Sequence, residues 1–372
     1  MRFPEFSGEW ERRSLSDLVI RVTRKNKNNE SRLPLTISAQ YGLVDQISFF
    51  NKVVASNDMS NYYLLHNGEF AYNKSYSGDY PWGAIKRLDL YEKGALSSLY
   101  ICFAPKNTVD SDFLVHYFES PKWYKEVSNI AGEGARNHGL LNISVPDFFN
   151  TRHWIPSCKA EQRKIAALLN LVEERIHTQK KIIEDLKKLK DAIRKKLFIS
   201  LESHCNEYDE IRNMLHYEQP SAYLVHSTEY SEDYPIPVLT ANKAFILGYT
   251  DEEYGVYDKG DCIIFDDFTM DLKYVTFPFK VKSSAIKILT PRQNIDLYFI
   301  YEYLIYLGLV SEEHKRHYIS EIESMSIICP QLKEQRQMSQ TLRSLDMQVG
   351  NAITYQKLLA QQKQYLLTQM FI

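Results

Sequence analysis

The chain has 372 residues, 44% of them apolar and 13% aromatic, and a formal charge of −2. This excludes a disordered polyelectrolyte and an indiscriminately basic nucleic-acid coat, and leaves room for two or three folded domains. No window approaches eighteen uninterrupted apolar residues and MRFPEFSGEWERR lacks an apolar signal core, so a soluble, cytoplasmic protein without a membrane span is expected.

In chain order, the lead-in PEFSGEWERRSLSDLV reaches a polar basic loop at Arg24-Lys25-Asn26-Lys27. The segments LPLTISAQYG from Leu33, NGEFAYNKS from Asn67 and GALSSLYICFAP from Gly94 alternate aromatic and β-branched residues between glycine turns, and read as strands. DFLVHYF from Asp112 reads as a helix, and AGEGARNHG from Ala131 as a loop. From Glu161 to Phe198 no Gly or Pro interrupts an apolar-periodic helix. Its positions 165, 169, 172, 176, 179, 183, 186, 190, 193 and 197 step by four and three, and all are apolar except Gln179 and Lys190. That is a heptad seam, and a helix of this length spans roughly 57 Å.

The same order then returns. IPVLTANKAF from Ile236 echoes the first strand, KGDCIIFDD from Lys259 the second, VKSSAIKILTP from Val281 the third, and DLYFIYEYL from Asp296 the helix. The second half is shorter ahead of its strands, since only the first carries the PEFSGEWERRSLSDLV segment. A shift of 173 positions lays the first long helix on 334–371, putting Ile165 on Met338, Leu169 on Leu342 and Phe198 on Phe371. Polar Gln356 and Lys363 fall on Leu359's seam, with Gly350 as a weak spot. No small domain buries so long a stripe, so the two helices are expected to pair antiparallel. Their seams would comprise Ile165, Leu169, Val172, Ile176 and Leu186 against Leu342, Leu345, Val349, Leu359 and Leu366.

The expected fold is α/β (α+β): two mixed α/β globules with pseudo-twofold internal repetition, joined by a long antiparallel coiled-coil pair. The segments are 1–154, a spacer helix over 155–199, a second globule over 200–329 and a second long helix over 330–372. Charge alternates along them. Residues 155–198 carry 12 basic against 6 acidic side chains, and 199–329 carry 10 against 22.

Catalytic signatures are missing. There is no Gly-x(4)-Gly-Lys-Ser/Thr phosphate loop and no Asn/Asp-Pro-Pro-Tyr element for amino methylation. Five dispersed cysteines form no Cys-x-x-Cys pair, and His116, His226 and His314 make no i, i+4 ligand pair, so no metal site is expected. The pair Asp185/Lys187 reads as a solvated helix face. The chain reads as a non-enzyme.

Each long helix begins with Pro-x(3–4)-Glu-Gln, IPSCKAEQ and CPQLKEQ, and each follows a strand-rich globule. In this the whole chain resembles the specificity (S) subunit of type I restriction–modification systems. The resemblance implies two target recognition domains, each reading one half of a bipartite DNA sequence. It also implies assembly with two DNA-methyltransferase subunits and with restriction/translocase subunits, which would hold S-adenosylmethionine, ATP and Mg. An assembly scaffold that does not itself read DNA is the alternative.

Base edges are read by donors and acceptors, while Lys and Arg on phosphates set position. In the first half the candidates are Lys25, Lys27, Lys74, Ser75, Tyr76, Lys86, Arg87, Arg136, Asn137 and His138. In the second they are Asn242, Lys243, Thr269, Lys273, Lys280, Lys315 and Arg316. Lys273, Lys280, Lys282 and Lys287 are expected to form a narrow basic strip on an otherwise acidic domain.

Overall fold

The computed structural model describes residues 1–52, 55–78, 80–131, 139–240, 245–310 and 317–372. They form two compact units, Met1–Lys180 with Tyr355–Ile372, and Lys181–Thr354. Among the described residues no helix is long and apolar enough to cross a membrane.

The first unit runs β1 (Trp10–Ser14), α1 (Leu15–Leu18), β2 (Val19–Arg21), β3 (Pro34–Ser38), β4 (Gly42–Asp45) and α2 (Gln46–Phe50). Then come β5 (Tyr63–His66), β6 (Phe70–Asn73), β7 (Ala84–Arg87), β8 (Lys93–Leu96) and β9 (Ile101–Pro105). The helices α3 (Ser111–Glu119), α4 (Tyr124–Ile130) and α5 (Val145–Asn150), strand β10 (Arg152–Pro156) and the long α6 (Lys159–His204) follow. An antiparallel ribbon β1-β10 closes the unit, and its sheets have the orders β2-β9-β6-β7 and β4-β3-β8-β5. Only the β3-β8 neighbours in these sheets are parallel.

The second unit repeats this plan with β11 (Tyr208–Glu210), α7 (Ile211–Met214), β12 (Leu215–Glu218), β13 (Ile236–Leu239) and β14 (Ile246–Thr250). It continues with β15 (Cys262–Asp266), β16 (Leu272–Val275), β17 (Lys280–Val281), β18 (Ile286–Pro291), α8 (Leu297–Leu307), β19 (Ser326–Ile328) and α9 (Leu332–Gln369). The ribbon is β11-β19, the antiparallel sheet β12-β18-β15-β16, and the mixed sheet β14-β13-β17 with β13-β17 parallel. A bridge between Tyr257 and Phe279 stands where the first unit has β5.

One sequence expectation is corrected here. The second half does carry a lead-in, because β11, α7 and β12 reproduce β1, α1 and β2. Its ribbon strand has only three residues, Tyr208-Asp209-Glu210, too short and too charged to show a strand's alternation.

The repeated Glu-Gln motif has a structural purpose. In the first unit the amide of Asp110 donates to Gln162 Oε1 (2.8 Å), and Gln162 Nε2 donates to the Pro156 carbonyl (2.9 Å). In the second, Asp296 N donates to Gln335 Oε1 (2.8 Å) and Gln335 Nε2 to the Pro330 carbonyl (2.8 Å). Asp110 and Asp296 are the N-caps of α3 and α8, accepting from the amides of Phe113 and Phe299. Each buried glutamine therefore ties a globule's helix to the proline that starts its long helix, satisfying groups that burial would otherwise orphan.

The seam residues lie inside the units' cores. In the first, Ile165, Leu169 and Val172 of α6 share one cluster with Leu366, Leu367, Met370 and Phe371. In the second, Phe198 and Leu201 share another with Met338, Leu342 and Leu345. The start of one helix thus meets the end of the other in each unit, which is antiparallel pairing. Leu359 is 3% exposed, while Ile176, Leu186 and Val349 are half-buried. The terminal phenylalanines dock alike: Phe371 lies 5.4 Å from Phe113 of α3, and Phe198 lies 5.7 Å from Phe299 of α8, centroid to centroid.

The polar breaks in the seam are filled in matching fashion. Lys363 of α9 pairs with Glu173 of α6 and with Glu119 of α3 (2.8 Å). Lys190 of α6 pairs with Asp346 of α9 (2.5 Å) and with Glu302 of α8 (2.8 Å). A polar residue at a seam position fixes register, because any slip leaves its charge unpaired.

Candidate nucleic-acid interface

In the first unit the turn after β6 is built by Asn73, whose Oδ1 accepts from the amide of Ser75 (3.0 Å). The strand that follows can return so closely because residue 83 is glycine. It sits at φ +77°, and a Cβ there would lie 2.1 Å from the Asn73 carbonyl oxygen. The turn is then fastened to a later segment. The Tyr76 amide donates to Gly139 O (3.0 Å), and the Leu141 amide donates to Lys74 O (3.0 Å). Ser75 and Tyr76 are exposed, and half-buried Lys74 has no side-chain partner among the described residues. The three candidates 74–76 therefore lie together, against the residues that directly follow 132–138. Arg136, Asn137 and His138 themselves lie outside the described residues.

The other first-unit candidates divide. Lys27 is exposed in a short helical turn. Lys25 donates to the Asn61 carbonyl (2.8 Å) and sits 4.4 Å over the Tyr63 ring. The loop between is held by buried Asn26, which donates to Ser31 O (2.9 Å) and accepts from Ser31 N (2.8 Å). Lys86 and Arg87 depart from the expectation of free cations. Lys86 pairs with Glu119 (3.3 Å), and Arg87 pairs with Asp89 (2.6 Å) and Asp112 (2.7 Å). They fasten β7 to α3, and their charge is already neutralised.

In the second unit the turn after β15 is the counterpart. Asp266 Oδ1 accepts from the amides of Phe268 (2.7 Å) and Thr269 (3.1 Å), leaving Thr269 exposed at the tip. Asp267 is buried, and its Oδ1 accepts from the amides of His317 (3.0 Å) and Tyr318 (2.8 Å). Its Oδ2 faces the Lys287 ammonium at 3.3 Å. So here too the turn after the central strand is tied to the segment that follows an undescribed stretch. That stretch, 311–316, contains Lys315 and Arg316; Asn242 and Lys243 likewise lie outside the described residues. Nothing in the local sequence marked Asp267 as an anchor, since its partners lie about fifty positions away.

The expected basic strip is corrected. Lys273 is exposed on β16 with no side-chain partner among the described residues, and Lys282 is exposed near the Tyr230 ring (5.5 Å). Lys287 is buried against Asp267. Lys280 is buried too, donating to the Tyr254 carbonyl (2.6 Å) and pairing with Glu252 (2.8 Å). Burial alone would raise the Glu252 carboxyl's pKa. Lys280 and the amides of Ser227 and His226 outweigh it and hold the pKa down at about 2. Lys280 and Lys287 are core anchors because a buried ammonium is tolerated only when paired.

Among the described residues His116, Glu119 and Glu173 bring ligand atoms within 4.8 Å of one another. The Lys363 ammonium already supplies their positive charge, as Lys190 does for Glu302 and Asp346. This cluster reads as one of two ion triads.

No family model matches the chain. Over 120 residues, 31% of its length, it is 47% identical to the type I restriction enzyme EcoR124I/EcoR124II specificity subunit of Escherichia coli. The match spans only 30% of that relative's length. The fold is similar throughout to the crystal structure of the type I restriction–modification S subunit from M. genitalium. The TM-score is 0.60 at 16% identity, covering 100% of this chain and 99% of that one. A chain from a structure describing complex assembly and conformational transition of the type I system aligns with TM-score 0.58 at 15% identity, over 98% and 97% of the two chains.

Proposed function

We infer that this chain is the DNA sequence-specificity subunit of a type I restriction–modification complex. The observation that carries it is the duplicated turn. Two units of one topology each fasten the loop after their central strand to a second loop, yet fill it with different side chains. Same scaffold with different exposed donors is what reading two unlike half-sites requires.

We take Lys74, Ser75 and Tyr76 in one unit, and Thr269 and Lys273 in the other, as the residues that meet DNA, with Lys27 as a further exposed cation of the first unit. The paired helices dock two methyltransferase subunits and, through them, the restriction subunits. S-adenosylmethionine, ATP and Mg belong to those partners, and this chain performs no covalent chemistry. A scaffold that only organises partners has no use for two differently filled copies of the turn.

The test is a domain exchange. Replacing 200–329 with the matching segment of a relative, in the assembled methyltransferase, is expected to change one half of the methylated sequence and leave the other intact. Change in both halves, or in neither, overturns the reading.

A further inference from the structure

The second half of α6 carries an unused positive face. Lys181, Lys187, Lys188, Lys195 and Lys196 are all exposed, and none has an ion-pair partner among the described residues. The acids of this stretch do not neutralise them: Asp191 pairs with Arg194 (2.5 Å), and Glu184 and Asp185 are exposed and also without a partner there. The cations that do serve the core are Lys190 and Arg194, both bound to Glu302. Lys181, Lys188 and Lys195 recur every seventh residue. At 1.5 Å per residue they form one line with about 10.5 Å between successive members.

Two features say what this line is for. It is absent from the other helix: the 173-position shift puts Thr354, Gln361 and Thr368 where α6 has Lys181, Lys188 and Lys195. The seam, the glutamine clamp and the ion triad all occur twice, so a face that occurs once serves something outside the duplicated frame. Along the line itself the intervening residues are Glu184, Asp185, Asp191 and Ala192, and the exposed Ile182 and Leu189 lie about 100° round the helix from it, whereas protein interfaces are centred on buried aromatic or aliphatic anchors. Flexible, evenly spaced ammonium groups without a fixed donor pattern suit a regular polyanion.

We propose that Lys181, Lys188 and Lys195 of the second unit form a phosphate-tracking stripe for duplex DNA. This rests on the DNA-binding reading above but adds a contact independent of sequence. The stripe positions duplex along α6 and contributes affinity without contributing specificity.

The experiment uses the full chain assembled with its methyltransferase, comparing wild type with K181Q/K188Q/K195Q on random-sequence duplex at several salt concentrations. Each phosphate contact contributes about 0.9 to the log–log salt slope, so the variant's slope should be shallower by up to about 2.7. Between 50 and 200 mM salt that is roughly a 40-fold smaller loss of affinity. Selection of a bipartite target from a random library should be unchanged. An unchanged slope overturns the stripe, as does loss of methyltransferase assembly in the variant, which would make the face a protein contact. Failure of wild type to select any target sinks the specificity reading while leaving the salt-slope result to decide the stripe.

Discussion

Replacing Gln162 by leucine removes the clamp while nearly preserving its volume, which separates hydrogen bonding from packing. The side chain is 1% exposed and serves two backbone groups, Asp110 N at 2.8 Å and Pro156 O at 2.9 Å. No water reaches a buried carbonyl left behind, and stranding such a group costs about 1–3 kcal/mol. Asp110 N is only partly buried and recovers some solvation. The expected loss is therefore about 2–3 kcal/mol, which for a unit of this size lowers the melting temperature by roughly 5–10 °C. Gln335→Leu should cost about the same, since Gln335 bonds Asp296 N and Pro330 O at 2.8 Å each. The two sites share no partner, so the losses should add within about 0.5 kcal/mol in the double variant. Denaturant titration gives the energies, and hydrogen exchange gives the location, with the amides of Asp110 and Asp296 losing protection. A single variant within about 0.5 kcal/mol of wild type, with the Asp110 amide still protected, would refute the clamp.

His153 is buried between Tyr117 Oη (2.9 Å) and Thr151 Oγ1 (2.8 Å), and burial holds its pKa down at about 4. The unfolded chain therefore takes up this proton first. Its stabilisation, on the order of 3 kcal/mol, is full above pH 6.5 and is lost as pH falls toward 4; His153→Gln should flatten that part of the curve. Lys273→Ala should weaken DNA binding by the assembled complex and leave subunit stoichiometry unchanged, as read by titration and by sedimentation. Leu169→Glu combined with Leu186→Glu should unfold or aggregate the chain, because Leu169 is 0% exposed and a carboxylate there has no partner; a wild-type circular dichroism melt would contradict this.

The seam was legible because helical periodicity is local and was sustained over many turns. The strands β6, β9, β15 and β18 were legible because their aromatic and β-branched residues face packed cores. Lys190 and Lys363 stood out as breaks, but their partners Glu302 and Glu119 did not, since those lie on helices distant in the chain. The same distance misled the reading of cations. Lys86, Arg87, Lys280 and Lys287 look like any exposed basic residue in sequence, and only the fold brings Glu119, Asp112, Glu252 and Asp267 against them. Lys273 was distinguished from Lys280 by no sequence signal at all.

The lysines of the two ion triads come from different helices. Lys363 of α9 serves the unit containing the N-terminus, and Lys190 of α6 serves the other. A gene for one repeat would thus already encode both sides of this contact, the lysine late in its helix and the acid earlier in it. Two identical ancestral chains could have satisfied each other, so tandem fusion needed a connection and no new chemistry. The same reciprocity sets a rule for recombination. An incoming domain suits the frame if it offers an aspartate to begin its last helix, as Asp296 does, and an acid to meet the lysine, as Glu302 does. It must also present an aromatic side chain to the closing phenylalanine of the helix, as Phe299 does to Phe198.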